Sequence, residues 1–137
     1  MLEFKQITET EGFELSKPVY DTVFSKNYPE NDGEYLYIIG YDGNRTIATG
    51  RMKKASNTAC EISAIGVIPT EQHAFVGDLI IKVLEDRAVS FACIETTLVP
   101  TEASVGFFEY EGYEKLPNGT MAKDLTKVCR HCASCGK

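Results

Sequence analysis

The chain has 137 residues, enough for about one domain with a substantial core, and its 43% hydrophobic and 25% charged residues match neither disordered nor fibrous proteins. A formal net charge of −6 without clustered Lys or Arg argues against nucleic acid as a partner and suits a cationic ligand such as an amine. No apolar run reaches the roughly 20 residues that span a bilayer, and "MLEFKQITETEGF" carries acids where a signal peptide would be basic, so a cytosolic protein without membrane contact is expected.

In chain order, "LEFKQI" alternates apolar and polar residues as a first strand would. "ELSKPVYDTVF" then places Leu15, Val19, Tyr20, Val23 and Phe24 at helical spacing. Ser16 is expected to cap this helix, with Pro18 in its first turn. "YLYIIGY" and "TIATGRMKK" flank Asp42, Gly43 and Asn44, a hairpin signal. "CEISAIGVI" is a fourth strand. After Pro69 the period becomes helical, with Leu79, Ile80, Val83, Leu84 and Ala88 on one face. A strand "CIETTLV" leads through Pro100 to a helix containing Ala103, Phe107 and Phe108, and "GYEKL" and "TMAKDL" enclose the turn Pro117, Asn118, Gly119.

Cys60 and Cys93 sit in apolar surroundings and read as reduced core residues. Cys129, Cys132 and Cys135 crowd the end as "CRHCASCGK", the thiolate density of a zinc or iron site that still needs a fourth ligand, since His131 is adjacent to Cys132. The expected organisation is a domain over 1–126 and a Cys-rich tail over 127–137.

The order of elements, with "QHAFVG" (Gln72 to Gly77) after the fourth strand and "TEASVGFFEYEGY" (Thr101 to Tyr113) after the fifth, resembles the GNAT family of acyl-CoA-dependent N-acyltransferases. The resemblance covers the chain up to about Leu125. It implies an α+β domain whose mixed, largely antiparallel sheet of about seven strands follows the order β-α-β-β-β-α-β-α-β-β. It also implies acetyl-CoA as acyl donor and a small-molecule or peptide amine as acceptor. The homodimer is common in the family, and no residue here specifies it.

By the same resemblance the pyrophosphate falls to the backbone of Gln72, His73, Ala74, Phe75, Val76, Gly77 and Asp78, where a helix amino terminus offers N–H groups and partial positive charge. The amide-rich arm of the donor falls to Ile65 and Val67, and Thr101 and Phe108 complete the cofactor set. Glu61, sixteen positions before Gly77, is the expected general base, with Glu95 as the fallback. Alternatively Glu61 is a solvated strand residue paired with Lys53 or Lys54.

Phe75 stands where the family carries glycine. Either the loop adopts an ordinary backbone there with the ring in solvent or core, or the cofactor is displaced. Asp78 competes for the same N–H groups, and Phe108 replaces the tyrosine that often protonates the thiolate. Two further readings follow: a CoA-binding or protein-binding relative without turnover, and a metal- or redox-responsive protein acting through the tail.

Overall fold

The computed structural model of the chain describes residues 2–7, 9–30 and 34–126, and at 9, 10 and 72–74 the backbone alone. The cysteines expected to hold metal, Cys129, Cys132 and Cys135, lie outside the described residues. Among those described, the elements are β1 (Leu2–Ile7), α1 (Glu9–Val23), β2 (Leu36–Asp42), β3 (Arg45–Lys54), β4 (Ala59–Val67), α2 (Val76–Ser90), β5 (Glu95–Leu98), α3 (Val105–Tyr110), β6 (Glu114–Lys115) and β7 (Met121–Asp124). Short 3-10 turns over Pro69–Ala74 and Glu102–Ser104 lead into α2 and α3. The seven strands lie in the order β1-β2-β3-β4-β5-β7-β6. β4 and β5 run parallel, whereas β1–β2, β2–β3, β5–β7 and β6–β7 are antiparallel. The expected α+β class and element order are both present. No described helix is long and apolar enough to cross a membrane.

Among the described residues the chain packs as two compact units, one running to Lys53 and including Ile62–Leu84, the other combining Lys54–Glu61 with the described residues after Leu84. In the first, Asp42 pairs with Arg45 around Gly43, whose φ of 65° suits a residue without a Cβ, and this closes the β2–β3 hairpin. One extra β3 residue shifts the register between Gly40 and Tyr41.

The helix α1 corrects the sequence reading, because it begins at Glu9 and Ser16 lies inside it instead of capping it. The run "ETEGF" has little apolar periodicity, yet Gly12 is required there: a Cβ at that position would overlap the Tyr37 ring, so its absence lets α1 reach the sheet. Ser16 Oγ accordingly meets the Gly12 carbonyl at 2.7 Å and the Thr49 hydroxyl at 2.6 Å, a buried tie between helix and β3. Pro18 therefore falls well past the first turn, where it removes one backbone donor from the ladder.

The buried face of α2 is likewise rotated from the expected one. Val76, Ile80, Ile81, Leu84 and Ala88 are buried, whereas Leu79 is 38% exposed. Gly50 lets this face approach β3, since a Cβ there would stand 2.7 Å from Ile80 Cγ2.

The second unit is cored by Cys60, Cys93, Leu98, Phe108, Tyr113, Met121 and Leu125. Cys60 and Cys93 are free thiols and buried, as expected, with Sγ atoms 2.8 Å apart.

Candidate functional site

In the first unit the candidate residues occupy the end of β4, the 3-10 turn and the start of α2. Ala64 interrupts β4 with φ of 53°, a left-handed backbone that a side chain disfavours. The consequence is a reversal of side-chain alternation. Ser63 accepts a hydrogen bond from Arg51 Nε at 3.0 Å, but Ile65, two residues later, lies against the opposite β3 face beside Gly50. Gly66 in turn faces Val19 and Val23 of α1. The ladder between β4 and β5 comprises Ala59–Glu95, Cys60–Thr96 and Glu61–Thr97 and ends there. Ile65 is half-buried and Val67 is buried.

The turn after β4 is pinned to β3. Ile68 N–H donates to the Ile47 carbonyl at 2.9 Å, and Arg45 pairs with Glu71 at 3.1 Å. Gln72, His73 and Ala74 close the 3-10 turn. At Phe75 the structure corrects the expectation of an ordinary backbone, for φ is 59° and ψ 24°, the conformation a glycine would supply. The ring is 71% exposed, so the solvent alternative holds for the side chain.

The first i to i−4 bond recorded at the start of α2 runs from Leu79 N–H to the Phe75 carbonyl at 3.1 Å. The N–H groups of Val76 and Gly77 come before that ladder and sit at the positive end of the helix dipole. Asp78 Oδ1 is 3.3 Å from Lys82 Nζ, an i,i+4 pair that places a cation beside the carboxylate.

In the second unit, Glu61 follows buried Cys60, is half-buried, and makes no ion pair among the described residues. The alternative pairing with Lys53 or Lys54 is therefore absent there. Glu95 starts β5 and is exposed. Thr101 is engaged in a capping box: its N–H donates to Ser104 Oγ at 2.9 Å, and its hydroxyl lies 3.0 Å from the same atom. Phe108 is buried edge-on to Phe107, with centroids 5.1 Å apart, and to Tyr113 at 5.9 Å. Tyr110 is 80% exposed.

Three features escaped the sequence reading. Ala64 carries no compositional sign of a strand break. Glu85 was readable, since it lies between Leu84 and Ala88 on the apolar stripe of α2. It is buried and receives Tyr113 Oη at 2.9 Å and Lys123 Nζ at 3.0 Å. Burial, and then the Glu85 charge, push the Tyr113 phenol well above its ordinary range. The third is Arg51, buried on β3.

No family model and no curated protein matches the chain. Solved structures do. An aminoglycoside 6'-acetyltransferase type Ii superposes with a TM-score of 0.73 at 14% identity, covering 90% of this chain and 97% of that one. An aminoglycoside 6'-N-acetyltransferase complexed with coenzyme A gives 0.73 at 13% identity, again over 90% and 97%. The ribosomal-protein-S18-alanine N-acetyltransferase from Escherichia coli gives 0.70 at 15% identity, over 91% and 94%. The chain has the GNAT fold, in a divergent sequence.

Proposed function

We propose that the protein is an N-acetyltransferase that moves an acetyl group from acetyl-CoA to an amine. The observation that carries this reading is the turn at Phe75, which keeps a glycine-like backbone ahead of α2 although its residue is not glycine. The backbone from Gln72 to Asp78 would hold the pyrophosphate, with the Val76 and Gly77 N–H groups directed along the helix axis. Main-chain groups of Ile65 and Val67 would bond the amide-rich arm of the donor.

An alkyl amine has a pKa near 10.4, so nearly all of it is protonated at neutral pH and must lose a proton before it attacks the thioester. Glu61 is assigned that proton, and its lack of an ion pair among the described residues suits a base. Glu95 is the alternative base. The amine nitrogen forms its bond to the acetyl carbon, the carbon–sulfur bond breaks, and the thiolate leaves. A thiol with a pKa of about 8.5 leaves without an obligatory acid, which accords with a phenyl ring at Phe108.

Phe108 also favours a second reading, a protein that binds CoA without turnover. Differential scanning fluorimetry with CoA and acetyl-CoA, followed by a thiol-release screen over amines, separates the two. Ligand at about 100 times its Kd adds about 2.7 kcal/mol, which raises Tm by several degrees in a domain of this size. A shift with thiol release supports the transferase; a shift with no amine releasing thiol supports the silent binder; no shift at millimolar ligand refutes both.

A further inference from the structure

Arg51 is only 4% exposed, and a buried guanidinium is ordinarily matched by an acid. It stands opposite Tyr37 in the β2–β3 register and makes three contacts. Nε donates to Ser63 Oγ at 3.0 Å, Nη1 donates to Tyr37 Oη at 3.3 Å, and the guanidinium carbon lies 3.8 Å from the Tyr35 ring centroid. Among the described residues none of its partners is a carboxylate. Arg cannot relieve the mismatch by losing its proton, as a buried Lys can. A second cation lies close by, with Lys53 Nζ 5.1 Å from the same Tyr35 ring.

Further hydroxyl groups lie in the same buried layer. Thr49, two residues along β3 and therefore on the Arg51 face, shares a hydrogen bond with Ser16. Beside them the buried Tyr20 hydroxyl lacks a partner at full hydrogen-bond geometry, although the Ser16 and Thr49 hydroxyls interact with it. Burial, and then the neighbouring Tyr37, push that phenol up to about 12, so it remains a donor. The layer thus holds a guanidinium fork, two phenols and three aliphatic hydroxyls, with no carboxylate bonded to Arg51 among the described residues.

A carboxylate complements this set better than a water or an amine, for its two oxygens match the guanidinium fork and it cancels the charge. The Ser63 contact also fixes where such a group would lie, one residue before the strand break at Ala64. We infer that Arg51, with Tyr37 and Ser63, forms a binding site for a carboxylate, so that the acceptor is an amine that also carries a carboxylate, as an amino acid does. The acceptor assignment rests on the transferase reading above, whereas the carboxylate site stands apart from it.

The test uses the full chain without acetyl-CoA and a panel of the common L-amino acids, each beside its decarboxylated amine, such as lysine with cadaverine and ornithine with putrescine. Isothermal titration is expected to show at least one amino acid binding about tenfold or more tighter than its decarboxylated amine. Arg51→Lys, which keeps the charge and loses the fork, should remove most of that preference, as should Tyr37→Phe if the first variant fails to fold. The CoA-induced rise in Tm should persist in both. Equal binding of the two members of every pair, no binding by any amino acid, or an undiminished preference in Arg51→Lys overturns the site. Discrimination without a CoA shift leaves the carboxylate site standing and removes the donor reading; a CoA shift without discrimination does the reverse.

Discussion

The backbone at Phe75 makes a prediction that separates conformation from side chain. A non-glycine residue in the left-handed region costs roughly 1–2 kcal/mol, and glycine avoids that cost while giving up about 0.5–1 kcal/mol of unfolded-state entropy relative to alanine. The ring is 71% exposed, so its removal forfeits little burial, and Phe75→Gly and Phe75→Ala forfeit it equally. Their difference therefore isolates the backbone. Phe75→Gly should be the more stable of the two by roughly 0.5–1 kcal/mol, the reverse of their order in a helix interior. Urea titration with fitted m-values of about 1–3 kcal/mol per molar would resolve this as a midpoint difference of a few tenths of a molar. An alanine variant as stable as the glycine variant or more so would refute a left-handed Phe75, and with it the glycine-like turn on which the pyrophosphate assignment depends.

Glu61→Gln should lower acetyl transfer by about 10²–10⁴ in kcat while leaving the CoA-induced Tm shift intact; equal loss in both would make Glu61 structural. Breaking the buried Lys123–Glu85 pair, whose atoms are 3.0 Å apart, by Lys123→Met should cost about 3–5 kcal/mol in a urea melt, whereas replacing both charges with apolar residues should cost much less. Burial, and then its hydrogen bond with Cys93, hold the Cys60 thiol at about 12 against an ordinary 9.0, and Tyr20 stands at about 12 against 10.0. Both raised values favour the native state fully at pH below 9 and lose that contribution as pH rises towards 12. Stability should thus fall by up to about 1.4 kcal/mol per pH unit per group on the alkaline side, and Cys60 should resist thiol reagents at pH 8 in the native protein.

The parts of the fold legible in the sequence were those with a local chemical cause. Asp42 and Gly43 announce the hairpin because only a few residues accept positive φ, and "LEFKQI" announces β1 through strict alternation. The start of α1 was not legible, because Gly12 argues against a helix locally and earns its place only through the Tyr37 ring it must admit. Leu79 and Ile81 lie about 200° apart around the helix, but with Leu79, Ile80 and Ile81 all apolar the stripe can be centred on either side of Ile80, and only packing decides that Ile81 is the buried one. At the candidate site, residue types gave Glu61 and the turn from Gln72, but the left-handed backbones at Ala64 and Phe75 are set by tertiary packing. Arg51 could not be called unmatched until the contents of its neighbourhood were known.

Positive φ has different meanings at the described non-glycine positions that adopt it. Ser25 and Lys26 follow α1 and Ala92 follows α2, where a left-handed residue is an ordinary termination, whereas Phe75 joins a 3-10 turn directly to the start of α2. Ala64 sits instead inside a strand, where no helix end accounts for it. A strand ordinarily favours Val over Gly, but at φ of 53° the order must invert. Ala64→Gly should therefore keep its stability within about 1 kcal/mol, and Ala64→Val should lose about 1–3 kcal/mol. Should Ala64→Val prove the more stable of the two in urea, β4 would continue as a regular strand. Ile65 and Val67 would then exchange faces with Gly66, and the backbone groups assigned to the donor's amide-rich arm would be redirected with them.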